Sequence, residues 1–218
     1  MASNGILTAM AWTQASSIAV WGGTDFKRFD ANIPLIKGHQ GAVTDLMFSP
    51  FHNNLLASSS EDGKVKLWVI PDGGLTQHLK EEDMCLTGHS KKALSVRWHN
   101  SVENLMSTGA NDNTVKIWDV SCGKMATNIP VSNAITSQQW SPKGNTLALM
   151  VKGSIMSLVD PRNAENAWQQ PSHQGSKAQK LQWIDDDHIV SSGFNKMNER
   201  EWAVWDIRQQ GQGPIGTG

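Results

Sequence analysis

His39, Ser58 and Asp62 are an imidazole, a hydroxyl and a carboxylate, the three parts of a nucleophilic triad. His89, Thr108 and Asp112 supply the same groups at the same separations, and Trp68 and Trp118 each follow their carboxylate by six residues. Two tandem copies are more than catalysis needs, and no Gly-x-Ser-x-Gly elbow is present to expose a nucleophile. The other chemistry open to these side chains is a buried hydrogen-bonded chain. Trp donates, the hydroxyl relays, and the carboxylate accepts from a histidine held in one tautomer. Such a chain runs Trp68–Ser58–His39–Asp62 in one copy and Trp118–Thr108–His89–Asp112 in the other. It spares each buried group the roughly 1–3 kcal/mol that an unmade hydrogen bond costs. The relay is therefore the preferred reading; no catalytic residue and no enzymatic activity is expected.

Other constellations fall away on spacing. The seven histidines, His39, His52, His78, His89, His99, His173 and His188, show no His-x-x-x-His pair. Cys85 and Cys122 form no Cys-x-x-Cys motif and read as free thiols of a reducing cytosol. Asp185-Asp186-Asp187 lacks the alternating ligands and terminal Glu of a calcium loop, and reads as a solvated turn. Gly22-Gly23 and Gly73-Gly74 lack the Lys-Ser/Thr of a phosphate loop. No metal and no cofactor is expected.

The elements that position the two relays are themselves repeated. After Gly38-His39, residues Ala42 to Phe48 form a strand-like run that ends at Ser49-Pro50, where proline removes a ladder donor. Leu55 to Ser59 is a short buried strand, and Glu61-Asp62-Gly63-Lys64 is a hairpin turn. Val65 to Val69 then alternates with a period of two. His89, Trp98, Asp112 and Trp118 each lie 50 residues after His39, Phe48, Asp62 and Trp68. A unit with a Gly-His start and a Trp or Trp-Asp finish is the signature of a WD-repeat propeller blade.

Weaker copies flank this pair. Trp140-Ser141-Pro142 and Thr146 to Leu149 belong to a fourth unit, in which Leu149, Gly153 and Val159 stand where the polar network stood. A fifth contains His173, Gln182-Trp183, Ile189 to Ser192, a longer turn from Phe194 to Arg200, and Trp202 to Asp206. Before Gly38, Ile6 to Trp12 and Ser17 to Trp21 read as second and third strands, and Asp30 to Ile36 leads into the next unit. The expected units are about 1–37, 38–87, 88–131, 132–171 and 172–208, followed by a Gly/Gln-rich end at 209–218. No first strand is expected in the first unit and no fourth in the last. The fold expected is all-β, an incomplete propeller of four-stranded antiparallel blades amounting to about four, with exposed edges and apolar blade faces that favour aggregation.

Composition narrows the partners. With 19 basic and 20 acidic side chains among 218 residues, net charge gives no case for nucleic acid. No apolar run approaches the length of a spanning helix, and the amino terminus has no secretory pattern.

The wording between the repeats is more specific. Ile33 to His39, Ser60 to Pro71, Gly73 to Thr76, Leu86 to Lys92, Val159 to Arg162 and Ser192 to Arg200 follow one another in an order that closely resembles the coronins, actin-binding WD-repeat proteins. The Ser-Glu-Asp…Trp-x-Ile-Pro segment and the Gly-Phe-x-Lys-Met-x-Glu-Arg turn discriminate best, and the resemblance spans about residues 1–208. It implies an open arc of a seven-bladed ring, covering roughly blades one to five. It also implies a non-catalytic, cytoplasmic regulator on the actin cytoskeleton, with actin filaments as partner. The branched-actin nucleating complex would be engaged through a coiled coil that has no counterpart here, as the basic segment ahead of blade one has none. Lys64, Lys91, Lys92, Lys196 and Arg200, in or beside inter-strand turns, are the candidate partner-binding cations, with ordinary solvated loop charges as the plainer reading. The alternative is a general WD-repeat scaffold for another assembly, such as a ligase or trafficking complex.

Overall fold

Short turns force each strand to double back on the one before it, so every sheet is built from consecutive antiparallel strands. The computed structural model describes residues 1–12, 15–23, 32–163, 165–175, 177–209 and 211–218. Asp30 and Ala31, expected to open the run into Gly38, lie outside the described residues. The first sheet holds β1 (Ala2–Ser3), β2 (Leu7–Ala11), β3 (Ser17–Gly22) and β4 (Leu35–Lys37). The second holds β5 (Val43–Phe48), β6 (Leu55–Ser60), β7 (Val65–Val69) and β8 (Met84–Leu86). β9 (Ala93–Trp98), β10 (Leu105–Ala110), β11 (Thr114–Asp119) and β12 (Lys124–Pro130) make the third. β13 (Ile135–Trp140), β14 (Leu147–Val151), β15 (Ile155–Asp160) and β16 (Glu165–Pro171) make the fourth. The fifth comprises β17 (Lys180–Trp183), β18 (His188–Phe194), β19 (Arg200–Asp206) and β20 (Gly216–Thr217).

The core lies between the sheets. Period-two alternation sends Phe48, Leu56 and Trp68 to one side of the second sheet, against Leu7, Ile18, Val20 and Ile36 of the first. Ala57, Val65, Leu67 and Leu86 point the other way, against Val96, Trp98, Met106 and Trp118 of the third. The third sheet meets the fourth through Ile117 and Ile129 against Ile135, Trp140 and Leu147. The fourth meets the fifth through Met150, Met156 and Leu158 against Leu181, Trp183 and Trp205. Among the described residues five four-stranded blades thus stack in sequence order, and no strand of the fifth packs closely on the first. No helix among the described residues is long and apolar enough to cross a membrane.

Both ends differ from expectation. The first blade has a first strand after all: Ala2 and Ser3 pair with Ala9 and Thr8. The fifth has a fourth strand, because Thr217 and Gly216 pair with Ala203 and Val204. Trp202 N–H also donates to the Gly218 carbonyl, and Gly218 N–H returns the bond to Trp202. Glycine leaves this edge without a side-chain pattern, which is why the alternation rule passes over it. The arc therefore has five four-stranded blades rather than about four. The longer turn of the fifth blade is present, with its two end residues drawn into the strands: β18 runs to Phe194 and β19 starts at Arg200, leaving Asn195–Glu199 between them. The far side of this blade stays open, with Trp202 at 47 % exposure, opposite in the pleat to the buried Trp205.

Candidate functional site: buried relays and the loop end of the blades

In blade two, Trp68 Nε1–H donates to Ser58 Oγ at 2.8 Å, and Ser58 Oγ lies 2.7 Å from His39 Nε2. His39 Nδ1 lies 2.9 Å from Asp62 Oδ2. Indole can only donate, so Ser58 spends its own proton on His39 Nε2, which leaves Nδ1–H to donate to Asp62. Blade three repeats the path: Trp118 Nε1–H to Thr108 Oγ1 at 2.8 Å, Thr108 to His89 Nε2 at 2.7 Å, and His89 Nδ1 to Asp112 Oδ2 at 3.0 Å. The preceding glycines are a steric need, since a Cβ on Gly38 would collide with the Trp68 ring and one on Gly88 would crowd Trp118.

The electrostatics favour neutral histidines against ionised carboxylates. Burial pushes the His39 and His89 pKa down, against the pull of Asp62 and Asp112. Burial alone would raise Asp62, but hydrogen bonds from His39 and from the Lys64 and Gln40 backbone N–H groups outweigh it and hold the carboxyl below its ordinary value. Asp112 is held low in the same way by Thr114, Ser90 and His89. A serine whose proton is already committed, beside Trp and away from solvent, has no access to a substrate. Both hydroxyl-bearing residues are fully buried.

A third relay, which spacing arguments missed, sits in blade five. Trp205 Nε1–H donates to Ser191 Oγ at 2.7 Å, Ser191 lies 2.8 Å from His173 Nε2, and His173 Nδ1 lies 2.7 Å from Glu201 Oε1. The acid comes from β19 rather than from the turn, and Ser191 precedes its tryptophan by 14 residues where Ser58 precedes Trp68 by 10. The His173–Ser191 separation of 18, against 19 in blades two and three, was the available signal. Among the described residues blade four shows no such chain. Leu149 pairs with Ser157 and Val159 with Leu147, all four buried. Among the described residues no group of His, Cys, Asp and Glu could hold a metal ion.

Antiparallel order puts the hairpin between second and third strands, and the connection into each new blade, at one end of the sheets. Lys64, Lys91, Lys92, Lys196 and Arg200 all lie at that end. The structure does not gather them in one patch. Lys91 and Lys92 line the junction of blades two and three, where Lys92 Nζ pairs with Glu61 at 2.8 Å, and Lys64 follows Gly63 on the adjoining hairpin. Lys196 and Arg200 flank the blade-five hairpin and are exposed. Lys152 and Lys177, which were not singled out from the sequence, stand between these groups at the junction of blades four and five.

The model of the WD domain, G-beta repeat, matches residues 32–69 and 80–119. Those repeats, set in four-stranded antiparallel blades, make the chain a WD-repeat β-propeller protein whose arc is not closed. The WD40 domain of Toxoplasma gondii coronin superposes with a TM-score of 0.93 and 35 % identity, over 100 % of this chain and 57 % of that one. Human coronin-2A is 30 % identical over 82 % of this chain and 35 % of its own length. A coronin-like protein of Saccharomyces cerevisiae is 28 % identical over 98 % of this chain and 35 % of its own length. The chain belongs to the coronin family of WD-repeat proteins, and spans about a third of the length of these two curated relatives.

Proposed function

We propose that this chain is an actin-filament-binding module of the coronin type, a non-catalytic interaction platform on the actin cytoskeleton of the cytoplasm. Membership of the coronin family carries this reading. The loop end of the blades supports it, because stacked sheets hold Lys64, Lys91, Lys92, Lys196 and Arg200 on hairpins and inter-blade connections at one side. Cations on a rigid scaffold steer an acidic partner and set its orientation. The buried relays belong to the scaffold: they satisfy polar groups between sheets and leave no reactive hydroxyl. The branched-actin nucleating complex is a partner that this reading assigns to segments other than these residues.

Sedimentation with actin filaments at low and moderate salt tests the proposal. The chain is expected to pellet only with filaments, and less as added salt shortens the Debye length. A folded preparation that stays in the supernatant, or binds regardless of salt, overturns it. Pull-down of a ligase or trafficking complex without actin would favour the general scaffold instead.

A further inference from the structure

The junctions of the blades are built alike but are not charged alike. Between blades two and three, the cleft at the loop end is lined by Lys91 and Lys92 together with the carboxylates Glu61 and Asp62. The equivalent cleft between blades four and five, about 370 Å³, is lined by Lys152 and Lys177 and, among the described residues, by no carboxylate. Its hairpin has Gly153 where blade two has Asp62, and a Cβ on Gly153 would meet nothing within 4 Å.

The floor of the blade-four/five cleft is ordered. Thr136 Oγ1 shares its proton between the Met150 carbonyl at 3.1 Å and, across the junction, the Gln179 carbonyl at 3.3 Å, and Ser154 Oγ donates to the Gly175 carbonyl at 3.1 Å. Gln179 Nε2 donates to Ser154 Oγ and to the His173 carbonyl, both at 3.0 Å. Gln179 is 3 % exposed, and its Oε1 has no hydrogen-bond partner among the described residues. Lys177 Nζ sits 4.5 Å from the Phe194 ring centroid, which restrains the ammonium at the cleft wall.

We propose that this cleft is a docking site for an extended acidic segment of a partner protein. Side-chain carboxylates of the segment pair with Lys152 and Lys177. Two cations with no carboxylate beside them among the described residues match a peptide that carries negative charge. The site is independent of the filament-binding proposal, since it uses none of the cations advanced there.

Fluorescence anisotropy of a labelled peptide with three consecutive glutamates, titrated with the full chain at low salt, tests it. A peptide with three glutamines in their place is the control. The glutamate peptide is expected to bind at least about tenfold more tightly, which corresponds to about 1.4 kcal/mol. Lys152→Glu and Lys177→Glu should each weaken it by roughly fivefold or more, as pairing with a partly exposed cation becomes repulsion. Lys64→Glu and Lys91→Glu should change it less than about twofold, being at a different junction. Equal binding of the two peptides overturns the proposal. So does an equal loss in all four variants, which would mean diffuse attraction to the loop end. All four lysines lie in hairpins or loops, and circular dichroism confirms that each variant is folded. Filament sedimentation of the same variants keeps failure here separate from failure of the actin reading.

Discussion

Blade two fills its interior with Trp68, Ser58, His39 and Asp62, whereas blade four puts Val159, Leu149 and Gly153 where Trp68, Ser58 and Asp62 stand. Both are four-stranded, and both are packed on each side by neighbouring blades. The relay contributes three hydrogen bonds at roughly 0.5–1.5 kcal/mol each and Trp68 buries its ring besides, while burying Leu149 and Val159 contributes roughly 1.5–3 kcal/mol apiece. The two interiors are therefore of similar worth, and neither is obligatory for the blade. Mixing them is what costs, because a single polar group then has no partner.

The largest effect is expected from Leu149→Ser, which adds a hydroxyl to blade four without supplying a relay. It should destabilise by about 3–5 kcal/mol in urea unfolding, through lost packing and an unmet polar group. A cost below about 1 kcal/mol would break the comparison. Ser58→Ala comes next, stranding the Trp68 N–H and His39 Nε2 of blade two. About 1–3 kcal/mol is expected, and a value no larger than that of a surface serine would mean that the relay is ornamental.

The comparison sharpens between blades two and five. Asp62 accepts from His39, Gln40 and Lys64, and its side chain is 8 % exposed; that of Glu201, facing His173, is 33 % exposed. Asp62→Asn should therefore cost about 1–2 kcal/mol and Glu201→Gln less than about 1 kcal/mol. Equal losses would show that the hairpin contacts of Asp62 carry no weight.

The smallest effect is the pH dependence. His39 and His89 have folded pKa values below the ordinary 6.5, so the unfolded chain binds more protons as pH falls through that value. Stability from these residues is complete above pH 6.5 and is lost below it. Asp62 and Asp112, held below the ordinary 3.8, add a second loss only under about pH 3.8. Unfolding followed from pH 7.5 to 5 should show the first decline, flattened in a His39→Gln, His89→Gln double variant. An unchanged slope would sink the assignment to these histidines.

The relays of blades two and three were legible because hydroxyl, carboxylate and tryptophan belong to one hairpin of fixed length, so their spacing repeats. The blade-five relay was hidden by two changes that act together. Its hairpin strands are longer, which stretches the interval from Ser191 to Trp205, and its acid is a strand glutamate at a position no turn pattern marks. The outermost strands, Ala2–Ser3 and Gly216–Thr217, were missed because two residues carry no periodicity.

From the sequence alone came the blade as a repeated unit, the relay members of blades two and three, and the resemblance to the coronins. All three rest on order and separation along the chain, which local strand and turn geometry translates directly. The tertiary structure decided which acid meets His173, which lysines face one another across a junction, and which of them lack a carboxylate nearby. Those are contacts between blades, brought about by stacking apolar sheet faces; stacking depends on the sum of many buried side chains and leaves no mark at any one position.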